Sequence, residues 1–196
     1  MILYVNGDSH TAAAEAVKPY IFANDDNPLF YLGHSPHPEN LSVSWGKLLS
    51  LALRCGFCCN AEGASSNDRI LKTTRAWLSE RKNNLEDIIV VIQWASWGQE
   101  SIQEIHDNIW QLHQDLLAQN ISHVFFNSSD NFSSITNRKD WGISYIGPYD
   151  PNATYNAQIC AAGFETVAPN SDHFGKDAHS WWFKHILNYI MTNKFI

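Results

Sequence analysis

At 196 residues the chain is long enough for one domain, 1–196, with a proper core, and its 44% hydrophobic content with eight Trp excludes a disordered chain. A formal charge of −7, with 13 Lys and Arg in runs no longer than two, argues against nucleic acid as a partner, since phosphate-backbone binding needs clustered basic side chains. No stretch approaches the ~18 apolar residues of a membrane span, and the N-terminus lacks the pattern of a signal peptide, so a cytoplasmic protein with no membrane partner is expected.

The first element is an apolar strand at 2–6, ending in Asn6-Gly7-Asp8-Ser9-His10, with an alanine-rich helical pattern from Thr11 to Val17 behind it. Pro19 to Asn40, rich in Pro, Asn, His and Asp, reads as a long surface loop beside Ser9, and the sequence leaves open whether its His34 and His37 touch a substrate. Ser44 is the expected N-cap of a helix through Arg54, stopped by Gly56. A short strand at 57–60 leads into a loop containing Gly63, and a helix follows from about Asp68 to Arg81.

The run Ile88-Ile89-Val90-Val91-Ile92 has the continuous β-branched character of a strand buried on both faces. Ile102, Ile105, Ile109, Leu112, Leu116 and Leu117 recur at helical spacing, which puts His106 and His113 on the wet face of that helix. A fourth strand is expected at 123–126. Residues 128–170 read as irregular, with Trp141, Tyr145, Tyr149 and Tyr155 among turn residues, and a last helix runs from about Lys176 to Thr192. Strands alternating with helices imply a parallel sheet covered on both sides.

Ser9 therefore falls at the carboxyl edge of the sheet, where open α/β folds bind ligands. A serine needs a base that titrates near neutrality, and histidine does so. Of the nine His, His173 is the best candidate, presented by a polar loop just before the last helix; His10, adjacent to Ser9, reads as a helix-entry residue, and His179 and His185 as structural. The base in turn needs an acceptor that fixes its tautomer. Asp172 offers the charge and Asn170 the spacing, and Asp172 is favoured slightly. The bland alternative is that Asn170-Ser171-Asp172 only caps the last helix.

Gly7-Asp8-Ser9 after the first strand, the loop Asn60 to Ile70 around Gly63, and Asn170-Ser171-Asp172-His173 near the end together resemble the GDSL/SGNH hydrolase family in order and spacing. The resemblance implies a three-layer α/β/α sandwich with a central parallel sheet, flavodoxin-like, and a serine nucleophile. It also implies an oxyanion hole whose backbone donors would be Ser9 and Gly63. Two signatures depart from the family pattern. The third should read Gly-x-Asn-Asp, but the strand runs into Trp94-Ala95-Ser96-Trp97-Gly98-Gln99-Glu100, so Ser96 or Gln93 substitutes for the asparagine or the third donor is lacking. The fourth should carry aspartate three residues before the histidine, where Asn170 stands.

The expected function is hydrolysis of a small carboxylic ester, such as an O-acetyl group on a sugar-like substrate, by an acyl-enzyme route through Ser9, His173 and Asp172. No metal or organic cofactor is expected. A second reading keeps the scaffold as a binding or structural protein with little chemistry. A third uses Cys55, Cys58 and Cys59 as a metal or redox centre, against which stands the absence of a second Cys or His pair at finger spacing.

Overall fold

Strand β1 (Ile2–Asn6) is the hub of a parallel sheet in the computed structural model, which describes residues 1–18, 36–81, 87–97 and 101–196. It pairs with β2 (Gly56–Cys59) on one side and β3 (Ile88–Trp94) on the other, and β3 pairs with β4 (Ser122–Asn127), giving the order β2–β1–β3–β4. The chain moves outward from β1 to β2 and then returns past β1 to β3. The order thus reverses between β1 and β3, and the crevice above their carboxyl ends is the switch point at which such sheets bind ligands.

The helices among the described residues are α1 (Pro38–Ser42), α2 (Trp45–Ala52), α3 (Asn67–Glu80), α4 (Ile102–Ala118), α5 (Tyr155–Ala161) and α6 (Lys176–Thr192). Because successive strand side chains point to opposite faces, each strand feeds two cores. Tyr4, Val90, Ile92, Trp94 and Phe125 pack with Ile70 and Leu71 of α3 and with Ile105, Ile109 and Leu112 of α4. Leu3, Val5, Ile89, Val91, Val124 and Phe126 pack on the other face with Trp45 and Leu49 of α2, Tyr155 of α5, and Trp182 and Ile186 of α6. The result is the expected three-layer α/β/α sandwich.

The four strands lie within one or two residues of the expected positions, and α6 spans the expected range. Ser44 caps α2 by accepting from the Lys47 amide, but the helix ends at Ala52 and Arg54 turns the chain at φ 51°; Gly56 opens β2 rather than stopping the helix. The alanine-rich segment 11–17 is not a helix. Ala13 and Glu15 sit at positive φ, and the Thr11 hydroxyl is drawn to Gln93, so tertiary contacts override alanine's helix propensity. Within 128–170, Asp150 and Thr154 cap a 3₁₀ turn and α5, and α1 follows His37. Most of the expected loop at 19–40, including His34, lies outside the described residues.

His106 and His113 are buried, not wet, because the segment 132–149 folds over α4. His106 Nε2 meets the Tyr149 hydroxyl at 3.0 Å, and His113 Nδ1 lies 2.7 Å from His123 Nε2. Cys58 joins the core on one face of the sheet while Cys55 and Cys59 join the other, so strand alternation separates the cysteines that a shared metal would need together. Among the described residues no group of three His, Cys, Asp or Glu is placed to hold a metal ion, and no helix is long and apolar enough to cross a membrane.

The buried histidines make acid stability testable. His123 Nδ1 donates to the Ile121 carbonyl at 2.9 Å, which leaves Nε2 to accept from His113 Nδ1 in the neutral pair. Burial lowers His123 to about 4 and His179 to about 3. Both folded values lie below the unfolded one, so the unfolded chain takes up more protons as pH falls through about 6.5, and stability present above that pH is lost toward pH 4. The unfolding free energy from urea titrations between pH 7 and pH 4 should fall by an amount of order 3 kcal/mol for His123 alone. A His123→Gln variant should show a flatter pH dependence; an identical slope would remove His123 as the cause.

Candidate active site

The end of β1 is fixed by Asn6, a fully buried residue whose Nδ2 reaches the Ile70 carbonyl at 3.1 Å and the hydroxyls of Tyr4, Thr73 and Thr74 at 2.8–3.0 Å. Its Oδ1 accepts from the Gly7 amide at 2.9 Å. Gly7 is required by space: a Cβ there would lie 2.2 Å from Thr11 Oγ1 and 3.0 Å from the Gln93 carbonyl. Asp8 Oδ1 then accepts from the His10 amide at 2.9 Å, an Asx turn that leaves Ser9 half-buried at its apex.

His173 arrives from the other end of the chain. The segment before α6 is held by the Val167 amide on the His173 carbonyl at 2.9 Å and by the His173 amide on Ser171 Oγ at 3.0 Å. His173 Nδ1 lies 2.6 Å from Glu15 Oε2, and the same carboxylate oxygen accepts from Ser171 Oγ at 2.5 Å. An ionised carboxylate only accepts, so the Nδ1 proton points at Glu15 and Nε2 carries the lone pair of the neutral ring. The Lys176 amide on the Ala16 carbonyl at 3.2 Å ties the Glu15 segment to the start of α6.

Ser9, His10, Glu15, Asn170, Ser171, Asp172 and His173 line one cleft of about 380 Å³. The His10 and His173 rings meet edge to face at 5.3 Å. Burial holds His10 below the ordinary histidine range, partly offset by Asp8. Ser9 and His173, paired by the sequence reading, therefore share a cleft. Asp172 lines it too, but is exposed and does not hold His173 Nδ1; Glu15 does. A residue adjacent to the histidine has less freedom to fold onto its ring than one carried over by tertiary contact. Asn170 is likewise an exposed lining residue.

The Gly63 loop is laid against the serine turn as an extension of the β1–β2 ladder: the Asn60 amide donates to the Val5 carbonyl at 3.0 Å and the Glu62 amide to the Gly7 carbonyl at 3.3 Å. Ser96 is elsewhere. Its exposed hydroxyl shares a 2.5 Å hydrogen bond with Ser129, and neither Ser96 nor Gly63 is among the described residues lining the cleft. Gln93 is the β3 residue linked to the serine loop, through Oε1 and Thr11 Oγ1 at 2.6 Å. Glu15 was hidden from sequence reading by its setting in an alanine-rich run; the available signal was that it is the lone acid in the segment after Ser9.

No protein-family model and no curated protein matches the sequence. Solved structures do match the fold. A lipolytic protein of the G-D-S-L family from Desulfitobacterium hafniense DCB-2 aligns over 96% of this chain and 98% of its own, with a TM-score of 0.59 and 10% identity. A member of the same lipolytic family from Veillonella parvula DSM 2008 aligns over 98% and 97%, with a TM-score of 0.50 and 8% identity. At such identities the likeness is one of architecture: the chain has the α/β/α fold of the SGNH hydrolases.

The crowding at Gly7 gives a direct test. Gly7→Ala should lower stability by about 1–3 kcal/mol, the usual cost of overpacking, read as a drop in Tm. Gly56→Ala, whose Cβ would make only ordinary contacts from 3.5 Å outward, should change it little. Equal effects from the two would contradict the close approach at Gly7.

Proposed function

We propose that the protein is a serine esterase in which Ser9 is the nucleophile, His173 the general base and acid, and Glu15 the carboxylate that orients the base. The observation that carries this reading is the 2.6 Å hydrogen bond from His173 Nδ1 to Glu15 inside the cleft that also contains Ser9. The likeness to G-D-S-L lipolytic proteins supports it.

In the first half-reaction the Ser9 hydroxyl passes its proton to His173 Nε2 as Oγ attacks the ester carbonyl carbon. Glu15 stabilises the imidazolium through the Nδ1 proton without taking it. The tetrahedral oxyanion is held by the backbone amides of Ser9 and Gly63, and it collapses when Nε2 returns the proton to the leaving alkoxide. Water then attacks the acyl-serine, again losing its proton to Nε2, and the proton goes back to Ser9 Oγ as the carboxylic acid departs. Side chains and water suffice for every step.

Among the described residues, the lining offers hydroxyl, amide, imidazole and carboxylate groups. Such a lining suits a small polar ester, with an acetyl group on a sugar-like alcohol as the best fit. The alternative of a scaffold without chemistry is weakened by the same Glu15 contact, since binding alone gives no reason to fix the His173 tautomer.

Two measurements test the reading. A fluorophosphonate probe should label the wild-type protein and leave a folded Ser9→Ala variant unlabelled; labelling of that variant would exclude Ser9 as the nucleophile. Hydrolysis of p-nitrophenyl acetate should fall by roughly 10³–10⁴ in Glu15→Gln, by analogy with loss of a triad carboxylate, while Asp172→Asn stays within about threefold of wild type. The reverse order would return the role to Asp172.

A further inference from the structure

The loop that carries Gly63 is gripped from behind by one side chain. Arg69, in the first turn of α3, donates through Nη1 to the Asn60 carbonyl at 3.1 Å and to Ser65 Oγ at 2.9 Å, while Nη2 forms an ion pair with the Glu62 carboxylate. These three partners flank Gly63 on both sides. Within the loop the Ser65 amide closes onto the Glu62 carbonyl at 3.3 Å, so Gly63 and Ala64 are the central residues of the turn and the Gly63 amide is not used by the turn's own hydrogen bond.

This turn is not self-sufficient. Ala64 sits at φ 56°, where a residue with a Cβ is disfavoured and glycine or asparagine is the usual occupant. A guanidinium fork is suited to holding it, because its donors lie in fixed planar directions and reach several acceptors at once. Arg69 is itself held in place at the start of a helix that Ser66 caps by accepting from the Arg69 amide at 3.2 Å.

We propose that Arg69 is a positioning residue of the oxyanion hole: by clamping Asn60, Glu62 and Ser65 it holds the Gly63 amide at the place where negative charge develops on the ester oxygen. This rests on the esterase reading with Gly63 as a donor. Charge on that oxygen is absent in the bound ester and grows on the way to the tetrahedral intermediate, so loosening the clamp lowers kcat and leaves ester binding nearly unchanged.

The test measures kcat and KM separately for p-nitrophenyl acetate with the full-length wild type, Arg69→Met, Arg69→Lys and the double variant Glu62→Gln/Ser65→Ala, each checked for folding by circular dichroism. Arg69→Met should lose about tenfold to a hundredfold in kcat, somewhat less than the loss of an oxyanion donor itself, with KM within about threefold. Arg69→Lys should recover only part, since an ammonium answers Glu62 but not the forked set. The double variant, which leaves Arg69 in place and removes two of its partners, should lose kcat in the same direction and keeps the test valid if Arg69→Met does not fold. Unchanged kcat in the folded variants, or a raised KM at constant kcat, overturns the clamp. A wild-type protein that neither hydrolyses the ester nor takes the fluorophosphonate label overturns the esterase reading, and the clamp's catalytic role with it.

Discussion

One carboxylate oxygen joins the two ends of this chain. Glu15 Oε2 receives both His173 Nδ1 and Ser171 Oγ, across a sequence separation of 158 and 156 residues. Charge-assisted hydrogen bonds of this length are the stronger kind, and these two are sheltered, with the Glu15 and His173 side chains only 15% and 17% exposed. They hold a stretch of backbone that local preference would not choose. Ala13 and Glu15 both sit at positive φ, at a cost of order 1–3 kcal/mol each, and such conformations persist only where the surroundings over-determine them. The surroundings here are the Glu15 side-chain bonds on one side and the Thr11–Gln93 bond on the other.

The same economy governs the floor of the site. Buried polar side chains rigidify the end of β1 and its surroundings: Asn6 to α3, Thr11 to β3, and Asn67 to both the amide and the carbonyl of Ala95 beyond β3. These bonds lie at the switch point between β1 and β3, where the fold opens a crevice. Satisfied members of such a network, as Asn6 and Asn67 are, specify one arrangement more sharply than apolar packing would, whereas Gln93 Nε2 is buried without a hydrogen-bond partner among the described residues. The serine turn and the Gly63 loop are thereby both referred to β1, and their relative position does not depend on mobile surface contacts.

The sequence made the sheet legible because its signals are physical and local. The β-branched run 88–92 has no other sensible home than a doubly covered strand, and Ser44 and Ser66 announce their helices by capping them. Ser9 and His173 were legible for a related reason: each stands at the boundary of a clearly patterned element. Glu15 was not, because alanines on either side of it satisfy every local criterion for helix, and only the contact with a residue far along the chain overrules them. His106 and His113 were misplaced in the same way. Their spacing on α4 sets them beside its apolar stripe, and nothing nearby in sequence tells that residues 132–149 return to cover them or that His123 of β4 reaches His113. What pattern reading misses in this protein is the effect of irregular segments on regular ones.

The histidines around the site follow from this burial. His10 and His179 are kept below the ordinary range by desolvation, and both are close enough to His173 for their charge states to matter to it. Held neutral at neutral pH, they surround the base with polarisable rings but no competing positive charge. In the proposed mechanism, the charge that His173 would gain from Ser9 would meet a carboxylate at Nδ1 and an uncharged ring at 5.3 Å, not a second cation. A like charge at that distance would oppose protonation of the base, while water in its place would weaken the Glu15 bond by raising the local dielectric. The buried His10 ring avoids both, so in the proposed mechanism the same packing would favour Glu15 as the carboxylate partner of the base.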